Sequence, residues 1–202
     1  MSQIPELTGG RALEHGIALM VDHGRGGGAK MHVGGQAATK TAASSALTNT
    51  TDETALDSLA IPANTLVAGS TIRVQGMSIV TVVTSNPDLQ FFLSLGPTST
   101  ALASREEIIT TTDAEVAAND VFYVDAVIQV RTIGSSGTAV AMCEYQDPDA
   151  VGTQAKRTIK ASFTLNTTVE QTLAVSAQWS AASASNSCRS DVFCVDIVNP
   201  ST

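Results

Sequence analysis

The chain has 202 residues, 11 Lys and Arg against 19 Asp and Glu, a formal charge of −8, a pI near 4.7 and only 15% charged residues. Ser and Thr fill 45 positions and Lys only four, so the surface is built of hydroxyls and amides. No basic run is present to neutralise phosphates, and no apolar stretch reaches the length of a membrane span, which excludes nucleic acid and membrane as direct partners.

Taken in chain order, the first 46 residues stand apart. They hold nine of the 15 glycines and all three histidines. Glycine loses more backbone entropy on ordering than any other residue, so this segment is expected to be an extended arm, with residues 47–202 forming the folded domain. One helix-like run, about Gly10 to Val21, places Leu13, Ile17 and Met20 near helical spacing before Gly24 ends it. The start, MSQIPELTGG, has no charged n-region and no apolar core, so synthesis in the cytosol is expected.

From Leu47 the pattern changes to period two. Strands are predicted at Thr54–Ile61, where Thr51-Asp-Glu before Ala55, Leu56 and Leu59 offers a helix start as the alternative, and at Ser70–Thr84 with Gly76 as a bulge, Asp88–Leu95, Val121–Ile133, Thr138–Tyr145, Arg157–Leu165, Thr172–Trp179 and Asp191–Val198. Inward faces follow from the alternation. They are Leu89, Phe91, Leu93 and Leu95; then Phe122, Val124, Ala126, Ile128 and Val130; then Ile159, Ala161, Phe163 and Leu165; then Leu173, Val175, Ala177 and Trp179. Turn chemistry separates them: Ile61-Pro-Ala-Asn, Asn86-Pro-Asp, Gly96-Pro, Gly134-Ser-Ser-Gly and Asp147-Pro-Asp, of which only the Gly134–Gly137 stretch reads as a tight hairpin. About eight strands with few tight hairpins predict an all-β protein. Its form is an antiparallel jelly-roll (Greek-key) β-sandwich preceded by the extended Gly-rich N-terminal arm.

No catalytic constellation is legible, and no enzyme activity, cofactor or metal is expected. Gly24-Arg-Gly-Gly-Gly-Ala-Lys30 has the wrong glycine spacing for a phosphate loop and Met31 where a hydroxyl is needed. His15, His23 and His32 read as solvated histidines on the arm rather than ligands. Glu106 with Glu107, or Asp113 with Glu115, would serve glycoside hydrolysis only at a set separation, and read as acidic loop residues. Trp179 falls in phase with Leu173 and Val175 and reads as core. Cys143, Cys188 and Cys194 read as small buried hydrophobes; a Cys188–Cys194 bridge is disfavoured by cytosolic synthesis.

The stretch from Ala46 to Gly76, ALTNTTDETALDSLAIPANTLVAGSTIRVQG, resembles the opening of the jelly-roll domains of tailed-bacteriophage structural proteins. The run TLAVSAQWSAASASNS, Thr172 to Ser187, is similar to their closing strands, and Phe122-Tyr-Val-Asp and Arg131-Thr-Ile-Gly fit between. The resemblance, to head decoration (cement) and head-fibre proteins, spans about residues 46–198. It implies a homotrimeric virion protein on the outer capsid surface, partnered by the major capsid protein and stabilising the head. The alternative it carries is a tail or head fibre that binds a host glycan. Under the first reading the arm anchors the domain to the shell, through Arg11, His15, His23, Arg25, Gly26, Gly27, Gly28, Lys30 and His32. The arm sums to about +1 (Arg11, Arg25, Lys30 and Lys40 against Glu6, Glu14 and Asp22) and the domain to about −9. Copies of so acidic a domain are expected to meet through apolar or hydroxyl faces and to tolerate high salt.

Overall fold

A computed structural model describes residues 41–83, 88–111, 114–146 and 155–199, together with the backbone of residues 18–20 and 32–39. Among these, the strands in chain order are β1 (Ala18–Met20), β2 (His32–Thr39), β3 (Leu47–Thr48), β4 (Thr54–Ile61), β5 (Thr71–Thr81), β6 (Asp88–Pro97), β7 (Glu106–Thr110), β8 (Ala114–Glu115), β9 (Val121–Thr132), β10 (Thr138–Gln146), β11 (Lys156–Thr164), β12 (Gln171–Trp179) and β13 (Ser187–Val198). All eight expected strands are present. Every pairing is antiparallel, in two sheets. One runs β1-β2-β13-β5-β9-β10-β11 with β3 beside β13; the other runs β4-β12-β6-β7 with β8 beside β6. β12 lies between β4 and β6, and β13 between β2 and β5, so the last two strands close both sheets in a jelly-roll-like sandwich.

Alternation puts one face of each strand into the space between the sheets. Leu89, Phe91, Leu93 and Leu95 from β6 meet Phe122, Val124, Ala126, Ile128 and Val130 from β9, all at 0–1% exposure. The rings of Phe91 and Phe122 stack across the gap, centroids 4.6 Å apart and planes 4° from parallel. Leu173, Val175, Ala177 and Trp179 complete the layer from β12. Trp179 is therefore core, as its phase predicts, and its indole Nε1 has no hydrogen-bond partner among the described residues. At one side the sandwich is clasped by Lys160, whose Nζ lies 2.5 Å from Glu106 Oε1 and donates to the Glu107 carbonyl at 3.2 Å.

Three expectations need correction. The helix-like run contains β1, whose Ala18, Leu19 and Met20 pair with Gly34, Val33 and His32; the apolar spacing there is short enough to suit a strand, and a partner strand supplies the backbone bonds. The rest of that run lies outside the described residues. Gly76 is not a bulge: it pairs in register with Val124 on β9 and with Phe193 on β13, and the irregularity lies one step along, between Ser190 and Val192 of β13, opposite Ser78 and Met77. Glycine fits closely there, since a Cβ would stand 3.0 Å from Val124 Cγ1 and the valine would have to shift to admit it. Finally, β11 does not keep one face. The β10–β11 register shifts between Ala139 and Ala141, so that Ala161 and Ser162 together stand opposite Val140. The extra residue flips the strand: Phe163 and Leu165 point into the core as expected, while Ile159 and Ala161 face solvent.

Candidate functional site

The outer face of the larger sheet has no layer of described residues over it. Strand alternation sends Arg73 and Gln75 (β5), Asp125 and Val127 (β9), Met142 and Glu144 (β10), Arg157 (β11), and Cys194 and Asp196 (β13) to that side. Register aligns them in two rows across the strands. Asp196, Arg73, Val127, Met142 and Ile159 form one; Cys194, Gln75, Asp125, Glu144 and Arg157 form the other. Between the rows lies an open groove of about 650 Å³.

The second row is already engaged. Gln75 Nε2 donates to Asp125 Oδ2 at 3.4 Å, and Arg157 Nε to Glu144 Oε2 at 2.9 Å. Tyr123, two residues before Asp125 on the same face, has its hydroxyl pKa raised first by burial, then by the charges of Asp125 and Glu144 and by its hydrogen bond to Asp125. The Cys143 thiol is pushed up to about 12 by burial and then by Asp125. This end of the groove thus carries a negative field that two neighbouring groups register. The first row differs. Among the described residues neither Arg73 nor Asp196 has an ion pair or hydrogen bond, although they stand opposite each other on adjacent strands. A donor fork and a two-oxygen acceptor are left facing the groove beside the apolar side chains of Val127 and Met142.

Of the expected arm residues, Arg11, His15, His23, Arg25, Gly26, Gly27, Gly28 and Lys30 lie outside the described residues. His32 opens β2, its backbone paired with Met20. The Gly24–Lys30 loop also lies outside them, as does Asp113. Glu106 is held by Lys160, and Glu107 Oε2 accepts from Thr110 Oγ1 at 2.5 Å. Glu115 pairs in register with Asp88 at the far end of β6. Glu106, Glu107 and Glu115, the described residues among those weighed for hydrolysis, are thus engaged in separate contacts. No cluster of His, Cys, Asp or Glu suited to a metal occurs among the described residues. None of the three cysteines forms a disulfide among the described residues. Cys188 and Cys194 stand six residues apart on one extended strand, roughly 20 Å, far beyond disulfide reach. Sequence reasoning missed the groove because its members come from five strands. The available signal was the outward set of Val121–Ile133, where Asp125, Gln129 and Arg131 alternate with the core.

No family model matches the chain, and no curated protein matches it. Among solved structures it is similar to the lectin UEA-II complexed with galactose, at 11% identity and a TM-score of 0.35, covering 84% of this chain and 87% of that one. It is also similar to a seed lectin isoform of Lotus tetragonolobus (9%, TM-score 0.35, 74% and 94% covered). A third is lectin I-B4 of Griffonia simplicifolia in its metal-free form (7%, TM-score 0.33, 88% and 86% covered). These neighbours are lectins, and the resemblance to phage head decoration and head-fibre proteins is corrected accordingly, along with the virion and capsid roles attached to it. The physical reason is that Thr-, Ser- and Ala-rich alternation suits any antiparallel sandwich; the matching stretches carry the fold and not the family.

Proposed function

We propose that this chain is a non-catalytic binding protein that holds a sugar in the groove on the outer face of its larger sheet. The observation that carries this reading is the Arg73–Asp196 pair, opposed across β5 and β13 and engaged by no described residue. Neighbouring sugar hydroxyls each donate and accept, and a guanidinium beside a carboxylate offers both halves of that exchange. Val127 and Met142 give an apolar shelf for the C–H face of the ring, and the sheet holds these groups rigidly before ligand arrives. Three carboxylates against two guanidinium groups leave the groove at −1, which favours neutral over acidic sugars.

A glycan array followed by calorimetry tests this. The wild-type protein is expected to retain neutral glycans, and Arg73→Ala with Asp196→Asn to lose at least about tenfold in affinity, roughly 1.4 kcal/mol. A protein that binds no glycan, or binds as well after both substitutions, would refute the reading.

A further inference from the structure

The bulge that inverts β11 leaves an apolar patch where a core face was expected. Met142 and Ile159 stand directly opposite each other on β10 and β11, 62% and 74% exposed. Val127, Val140 and Ala161 extend the patch around a shallow depression of about 360 Å³, which Gln129 and Arg131 also line. Scattered surface hydrophobes need no explanation, but two large ones in register at the edge of a sheet, with three more beside them, form a contiguous surface that water solvates poorly. β11 is also the last strand of its sheet, so its outer backbone edge is open among the described residues.

The charges around the patch indicate what covers it. Arg131 lies at one end, and among the described residues it has no ion pair or hydrogen bond. Asp125, Glu144 and Arg157 lie at the other end, on the row beyond Val127 and Met142; Arg157 pairs with Glu144, so this end carries a net −1 that comes from Asp125. Six residues of β9 separate Arg131 from Asp125, about 20 Å. A surface that is basic at one end, apolar in the middle and acidic at the other is complementary to itself when inverted end to end.

We infer that a second copy of this chain docks face to face on the Met142–Ile159 patch about a twofold axis, setting Arg131 of each copy against the partner's acidic end. The contact is isologous, so each residue buried on one side is buried on the other. Met142 and Ile159 supply the desolvated centre and the charges form the rim, which orients the pair more than it stabilises it. Parallel stacking is opposed, because it would set like charges against each other. The partner forms a wall along the β11 side of the groove. Arg73 and Asp196, on the next strands toward β2, remain open, while Val127 and Met142 belong to both surfaces, so the docked partner covers the apolar shelf of the groove and leaves its charged pair accessible.

Sedimentation equilibrium on the full chain tests the inference. A dimer mass is expected, with Ile159→Glu and Met142→Glu each weakening self-association at least about thirtyfold while circular dichroism and melting temperature stay at wild-type values. Both side chains are exposed, so these variants fold. Arg131→Glu should weaken the dimer several-fold at low salt and less at about 1 M NaCl, where the Debye length is about 3 Å. A monomer at about 100 μM, a trimer, or a dimer that survives both glutamate substitutions would overturn the inference. Arg73→Ala should leave the dimer intact, which separates this contact from sugar binding.

Discussion

Cys143 and Cys188 show how one residue type reports on its surroundings. Both thiols are buried and pushed up to about 12 from an ordinary 9.0, Cys188 by burial and Cys143 by burial with help from Asp125. Between those values the unfolded chain releases protons that the folded chain retains. Stability is therefore full below about pH 9 and falls as pH rises toward 12, by at most about 1.4 kcal/mol per pH unit for each thiol. Denaturant melts across that window should show the decline, and Cys143→Ala with Cys188→Ala should flatten it. The inward placement of these thiols was legible from the chain, since Cys143 falls in phase with the core residues Ala139 and Ala141. The juxtaposition of Arg73 and Asp196 was not. They are 123 positions apart, and each looks like an ordinary solvated charge until register brings β5 beside β13.

Among the elements, the β9–β10 hairpin was the most legible. Gly134 adopts φ +109°, which side chains resist, and Gly137 packs so closely that a Cβ would lie 2.5 Å from the Leu165 carbonyl oxygen and 2.7 Å from that of Thr132. Gly137→Ala must therefore displace backbone at a point where the Leu165 N–H bonds the Gly137 carbonyl at 2.8 Å. A loss of roughly 2–3 kcal/mol in chemical denaturation is expected, within the upper part of the range for single substitutions. β11 was read correctly as a strand and wrongly as to its face. Period-two alternation is blind to a bulge, because Ala161 and Ser162 are both small and either could face the core without a visible break in pattern. The short strands β3, β7 and β8 escaped for a different reason. At two to five residues they show too little alternation to count, and they form because a longer neighbour offers an edge.

For the whole molecule, the glycine-based division at residue 46 meets β2, which belongs to the first part by sequence and pairs with β13. Its Gly34 and Gly35 sit opposite Val198 and Ile197, covering an edge that would otherwise present unpaired N–H and C=O groups. Deleting residues 1–40 is expected to lower the melting temperature and raise aggregation, measured by differential scanning fluorimetry and light scattering. Unchanged behaviour in both would show that β2 adds nothing to the fold.

The sheet order also dictates when the molecule can fold. β12 and β13, last in sequence, occupy interior positions, one in each sheet. Until they leave the ribosome, β4 and β6 have no common neighbour and β5 lacks one side, so the earlier strands emerge as half-built sheets with bare edges. The pairings of β12 and β13 join distant parts of the chain, which makes closure slow and leaves those edges exposed to other nascent chains in the meantime. The abundance of Ser and Thr then has a use before the native state exists: it keeps the waiting strands soluble, where a more apolar set would aggregate before β12 and β13 arrive.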